Sequence, residues 1–516
     1  MFVKIVKRVL SAIVVVLLLA LVFFYLSDEA QKQAALLAAE EDEEVHVARE
    51  MLQIWYSDVE LGEYIQSAAV SFSEKPENQH IRIMPVMVSA LEYLENINQS
   101  SLNGQGPDLY VIGHDSLEKA YLAGLAVPVF TEDLWPLLDE YPTVATNAVS
   151  YHEKILAYPL YFETSALLYN FDHLTEMIKL RIEAEADVAA AEQSMADIIE
   201  HGPQEEILET PANEAAVEEM LNDKDYIEGQ AAYLLPATFE ELKIIANDYD
   251  APAEVETVLK WDVTDIFYNY FFVGDAMSVG GESGDDAEII DIYNRETIGS
   301  MRMYQDLNQF FAIEAKEVNY EALIEEFMDG KLVYSIATTD VVETLRQAER
   351  NGDFSYRYGI WPTPDINAHM PTRPLSMVGS IAINGYSAHQ AEANRFAAFL
   401  AGEFADHLYS YTGKVPVAKS ALPDDDYLAV FYDEFCRSIP LPKMIETSNF
   451  WIQLAITFAR IWEGADVNVE LRLLSEQIMS QVTGAPFFET VIEYDFEEYV
   501  MEYLDEEELT REALRE

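Results

Sequence analysis

The chain has 516 residues, 93 of them Asp or Glu and only 31 Lys or Arg, for a formal net charge of −62. No basic excess exists to displace counterions from phosphate, which excludes free nucleic-acid binding and adhesion of the bulk of the protein to anionic headgroups. Half the residues are apolar and 12% are aromatic, enough for a large core and more than one lobe, and the single cysteine, Cys436, allows no intrachain disulfide.

The chain opens with Lys4, Lys7 and Arg8 and then runs through eighteen residues, 9–26, whose only polar member is Ser11. A positive segment followed by an apolar run is an export signal, and eighteen helical residues rise about 27 Å, close to a bilayer core. The reading is an uncleaved N-terminal anchor over 1–27 with its positive end in the cytoplasm. The folded part is then extracytoplasmic, in the periplasm or at the cell surface. Cleavage between Ala30 and Ala39 is the alternative and would release a secreted protein. With the three leading cations set aside, 28 basic residues face 93 acidic ones, a net of −65 outside the cytoplasm. Residues 28–49 are rich in Ala and Glu with little apolar surface, and read as a helical stalk.

The folded part begins with a strand over 51–56. The helical spacing of 61–74 follows, then a strand over 81–88, a helix over 91–104 ending near Gly104, and a strand behind the Gly106-Pro107 turn. The order β-α-β-α-β predicts an α/β domain with a largely parallel sheet, whose ligands sit beyond the carboxyl ends of the strands. Tyr56, Ser57 and Asp58 close the first strand; Gly113, His114 and Asp115 close the third. Residues 172–228 hold 17 acidic and three basic residues and no Trp or Phe. They read as a surface helical insertion, with runs over about 174–200 and 212–222 flanking a break at 201–204.

Chemical motifs are mostly absent. The glycine cluster at 279–284 lacks the lysine of a phosphate loop, no Cys/His metal set exists, and no GxSxG elbow occurs. No cofactor and no metal are expected. The chain does carry 30 Tyr, 25 Phe and 6 Trp. Aromatic faces against sugar C–H surfaces, with carboxylates accepting from hydroxyls, hold a neutral carbohydrate, although most aromatics serve core packing.

Several stretches resemble, in shared order, the extracellular solute-binding proteins of ABC importers, with the pattern of maltose- and maltodextrin-binding proteins. They are GPDLYVIGHDSLEKAYLAGLAVPV (106–129), YHEKILAYPLYFETSALLYN (151–170), PATFEELKIIA (236–246), FMDGKLVYSIATTD (327–340), YGIWPTPD (358–365), SMVGSIAINGYSAHQAEANRFAAFL (376–400) and GKVPVAKSAL (413–422). The resemblance covers roughly 50–480. It implies a periplasmic-binding-protein type II-like α/β fold, two α/β lobes joined by a hinge with a ligand cleft between them. The implied lobes are 50–161 plus about 377–420, and 162–376 plus about 421–480, with hinge strands near 159–164 and 372–378. Residues 481–516 form an acidic C-terminal extension.

The resemblance places Asp115 where an aspartate binds sugar hydroxyls, Glu163 where a glutamate binds ligand, and Trp451 where a tryptophan stacks on a sugar ring. Tyr161, at the hinge crossing, joins them, as do Tyr56 and Asp58. A helix N-cap is the other reading of Asp115, and the two are compatible. The chain also departs from the pattern. Ile112 and Asp340 stand in place of stacking tryptophans, Ser116 in place of an arginine, and Glu60 near a first-loop lysine. Tyr268 and Trp261 are candidates to restore stacking. A hydroxylated or a cationic solute fits the added carboxylates.

The implied function is capture of a carbohydrate-like solute by hinge closure and delivery to ABC permease subunits, with no bond made or broken. Two other readings stand beside it: a membrane-anchored ligand sensor, and a glycan-acting hydrolase using Asp115 and Glu163 as acid and base. Much of the negative charge lies in the stalk, insertion and tail, where it keeps an exposed protein soluble and suits salty surroundings. Added NaCl, by screening like charges, is expected to raise the thermal unfolding midpoint; a midpoint that is level or falling with salt counts against this.

Overall fold

The computed structural model describes residues 50–129, 135–201, 211–444 and 449–493. The anchor at 1–27, the stalk at 28–49 and the extension beyond 493 lie outside the described residues. Among the described residues no helix is long and apolar enough to cross a membrane.

The described residues divide into two compact units, 50–51 with 73–83, and 52–72 with those from 84 to 493. In the small unit the amide of Glu50 donates to His80 O (2.8 Å) and Ser73 Oγ donates to Ile81 O (3.1 Å).

Most of the sheet belongs to the large unit. The sheet's strands are β1 (Glu50–Tyr56), β2 (Ile81–Met87), β3 (Leu109–Gly113), β4 (Ala157–Asn170), β5 (Thr257–Leu259), β6 (Leu332–Thr338), β7 (Tyr358–Trp361), β8 (Leu375–Ile383), β9 (Val415–Pro416) and β10 (Ile439–Pro440). The order through its middle is β1-β3-β8-β4-β6-β5; β7 and β9 also pair with β4, and β10 with β8. The expected helices form at α1 (Leu61–Glu74) and α2 (Tyr93–Leu102). In α1 the apolar residues Leu61, Tyr64, Ile65, Ala68 and Phe72 recur at helical spacing and are all buried.

The sheet is mixed rather than largely parallel. β1 runs parallel to β3, but β8 is antiparallel to both β3 and β4, and β6 is antiparallel to β4. The local β-α-β-α-β order sets only the first strands. The long strands that return from distant sequence enter in the opposite direction.

β4 holds the architecture together. Its first half, Ala157 to Thr164, pairs with β8, and its second half, Ser165 to Tyr169, pairs with β6. The partner therefore changes at Thr164/Ser165, where the expected hinge crossing lies. The register slips between Gly379 and Ser380, which face Tyr161 and Pro159. Proline has no N–H to give the ladder, so the strand bulges at the intervening Leu160, whose carbonyl accepts from Val417 N (3.1 Å). Across the same ladder Gly379 lies under the Tyr161 ring; a Cβ there would come 2.2 Å from the ring.

The insertion is helical as expected, over α3 (Phe171–His201), α4 (Pro211–Asn222) and α5 (Lys224–Ala231). Arg357 binds Asp172 near one end (2.6 Å) and Glu228 at the other, tying both ends to the body.

Trp261 is not a stacking surface. It is fully buried, donates Nε1–H to Asn269 Oδ1 (2.8 Å) and meets Trp462 edge-on at 5.5 Å. Its indole is consumed by the core.

Phe162, fully buried in β4, stacks on Phe435 at 4.1 Å with the rings 5° from parallel. Phe162→Ala is expected to destabilise by about 3–5 kcal/mol, the range for emptying a buried aromatic site, read as an earlier midpoint in urea.

Candidate functional site

Along β4 the side chains alternate between faces. Leu160, Phe162 and Thr164 are buried, while Tyr161 and Glu163 are half-buried on the opposite face. That face borders three neighbouring cavities of about 500, 510 and 510 Å³. Tyr161 lines the first with Asp58, Tyr93 and Ser116. Glu163 and Asp340 line both the second and the third. Tyr268, Tyr320, Phe267, Asp265 and Trp451 complete the wall of the second, and Glu60 and Lys414 belong to the third.

The second cavity is aromatic on one side. Tyr268 stacks on Tyr320 at 4.8 Å and 19°, and Trp451 is held edge-on by Tyr270 at 5.6 Å. Asp340 stands just before the helix α6 (Val341–Asn351) and accepts from Tyr320 Oη (3.2 Å) and Thr338 Oγ1. Asp265 caps the short turn that carries Tyr268, accepting from Phe267 N (2.9 Å).

Lys414 organises the third cavity. Its ammonium binds Asp58 (2.8 Å) and Glu60 (3.1 Å) and lies 5.0 Å from the Tyr161 ring centre. Burial works against its charge, but Asp58, Tyr161 and Glu60 together hold it above the usual lysine range. Pairing of Val415 with Phe162 puts Lys414 one register step away, beside Glu163. The cation missing from the first loop, where Glu60 stands, is thus supplied from residue 414. In the sequence that segment stands only among the stretches of the resemblance, and no spacing rule links 414 to 60. Tyr320, Tyr93 and Asp265 were likewise not singled out; an aromatic at a helix start was the only signal for Tyr320.

Glu163 accepts no hydrogen bond from the described residues, and its carboxyl is held above the usual range. Burial is the main cause; Lys414 lowers it in part, and Asp340, Asp58 and Glu60 raise it further. The Tyr161 hydroxyl is pushed up to about 12 by burial, with Lys414 pulling the other way.

The remaining expected residues lie elsewhere. Asp115 lines none of the three cavities. Its carboxylate is taken up locally by its own amide and by the amide and hydroxyl of Ser116, and burial raises its pKa against those bonds. Gly113 is needed beside it, since a Cβ would come 2.5 Å from Asp115 Oδ1. Asp115 and Glu163 line none of these three cavities in common. The neighbouring His114 is buried and neutral; its Nδ1 accepts from Val378 N (2.9 Å), so Nε2 donates to Leu441 O (3.0 Å). Burial and the Lys443 charge push it down to about 3. Tyr56 is buried, with its hydroxyl against Gly62 at the start of α1.

No family model matches the chain. The maltotriose-binding protein of Pyrococcus abyssi (strain GE5 / Orsay) is 22% identical over 399 residues, covering 74% of this chain and 72% of that protein. Among solved structures, a cyclo/maltodextrin-binding protein complexed with maltotetraose superposes with a TM-score of 0.63 at 18% identity, over 84% of this chain and 97% of that one. The extracellular solute-binding protein of Staphylococcus aureus in complex with maltose gives 0.63 at 17%, over 84% and 98%. The maltose-binding periplasmic protein of Listeria monocytogenes in complex with maltose gives 0.62 at 16%, over 85% and 99%. The fold is therefore that of the two-lobed α/β solute-binding proteins, and the resemblance read from the sequence is borne out.

Linkage fixes the sign of one pH effect. Because folding raises the Glu163 pKa, ionising it costs no stability below about pH 4 and the full amount once the pH has passed the folded value. Glu163→Gln, similar in shape but uncharged, is expected to raise the melting temperature of the free protein at neutral pH. The gain should fade on acidification to about pH 4. Scanning calorimetry across that range checks it, and equal melting temperatures at neutral pH would contradict it.

Proposed function

We propose that this chain is an extracytoplasmic solute-binding protein that captures a carbohydrate-like solute by hinge closure and delivers it to an ABC permease. The observation that carries the reading is the juxtaposition of Glu163 and Asp340 with Tyr268, Tyr320 and Trp451 around one cavity beside the crossing strand. Ring faces accept sugar C–H surfaces, and carboxylates accept hydroxyl hydrogens. The relatives support it, being proteins named for binding maltotriose or solved with maltose or maltotetraose.

The lobes of this reading are 50–161 with about 377–420, and 162–376 with about 421–480. β4 and β8 cross between them. A solute touching both lobes binds the closed form better than the open one, so it shifts the population toward closure, and the permease reads the closed shape. The protein's part is to select and hold; Asp58 lines the neighbouring cavity, and no residue is assigned a catalytic role. Residues 1–27 anchor the protein with its folded part outside. The sensor reading rests on that same anchor, and no other observation favours it.

Maltose, maltotriose and polyols screened by thermal shift should include a ligand that raises the midpoint, equivalent to about 2.7 kcal/mol when present at a hundred times its Kd. Trp451→Ala should weaken that ligand by about tenfold or more, as truncation of a buried aromatic anchor does. An unchanged affinity would remove Trp451 from the site, and turnover of a glycan by the pure protein would overturn the binding-protein reading. Loss of solute uptake on deletion separates importer from sensor.

A further inference from the structure

The charge around the cavity beside Glu163 is unbalanced. Its described lining includes Glu163, Asp265 and Asp340 and no Lys, Arg or His. The ammonium that acts on Glu163 belongs to Lys414, and that group is already bound to both Asp58 and Glu60. Three carboxylates, Asp58, Glu60 and Glu163, therefore share one ammonium, and Asp340 acts on Glu163 as a further like charge. Asp340 has hydroxyl donors, Tyr320 and Thr338, and Asp265 has a backbone amide; Glu163 has no donor among the described residues.

A neutral sugar would satisfy hydrogen bonds here but not charge. Lobe closure removes water, and an uncompensated carboxylate then becomes more costly than in the open form. The same lining carries rings, Tyr268 stacked on Tyr320 with Trp451 also present, and ring faces attract a cation within about 6 Å of the ring centre. At about 510 Å³ the cavity falls within the usual size range of small-molecule sites.

We propose that the solute carries a protonated amine, seated between the Glu163 and Asp340 carboxylates and the rings of Tyr268 and Trp451. This rests on the solute-binding reading and narrows it to aminated carbohydrates. Lys414 then has a second role: by occupying Asp58 and Glu60 it confines the seat to the Glu163 side.

The test is calorimetric titration of the full chain with the β-1,4-linked glucosamine trimer, its N-acetylated counterpart, maltotriose and spermidine, at a pH where the amines are protonated. The glucosamine trimer should bind more tightly than its acetylated form, and more weakly as salt is added. Glu163→Gln should cut that preference by about tenfold or more, as removal of one partner of a buried charge pair does. Lys414→Met should act in the opposite direction, tightening the amine several-fold, which a folding defect would not do. If the acetylated trimer or maltotriose binds as tightly as the amine, the inference is wrong and the sugar-binding reading stands. If spermidine binds and all three sugars fail, the amine seat stands and the carbohydrate reading falls. If none of the four binds, the inference is wrong.

Discussion

The structure depends on one strand that changes its main partner halfway along. β4 is fourteen residues long and gives its first half to β8 and its second half to β6. A strand in that position must be buried on one face along its whole length, and twelve ladder positions, broken only at Leu160, leave it little freedom to slip. The bulge at Leu160, imposed by Pro159, and the glycine at 379 adjust the local geometry so that the Tyr161 ring lies flat across its neighbour strand. The same alternation that drives Phe162 into the core delivers Tyr161 and Glu163 to the opposite face. Core and site are thus two sides of one segment.

The site works against the stability of the fold that holds it. Folding places Glu163 where burial and three nearby acidic groups disfavour its charge, and gives it no hydrogen-bond donor from the described residues. A group kept in that condition has an interaction left over for a ligand. Lys414 limits the imbalance without removing it, because its ammonium is shared with Asp58 and Glu60. The overall charge of −62 has a different origin, since much of it lies in the stalk, the insertion and the tail rather than around this pocket.

Local signals were legible where one residue's neighbours in sequence are also its neighbours in space. The helical spacing of 61–74 appears as α1 with its apolar side buried, and the alanine-rich runs of the insertion appear as α3 and α4. The ordered motifs of the resemblance led to the two-lobed fold. Matters that depend on distant sequence were misread or missed. Trp261 looks like any loop tryptophan until Asn269 and Trp462 close around it. The strand directions beyond β3 follow from where β8 and β6 re-enter, which local periodicity does not encode.

By itself the sequence determined an α/β fold and the helical insertion, because spacing and composition act over a few residues, while the two-lobed fold came from the ordered motifs of the resemblance. Only the tertiary structure decided which groups share a cavity. Glu163, Asp340, Tyr268 and Trp451 converge from positions up to 288 residues apart, and Lys414 reaches Asp58 and Glu60 across more than 350. Charge balance is a sum over neighbours in space, so the uncompensated carboxylate at the pocket became visible only when the chain was folded.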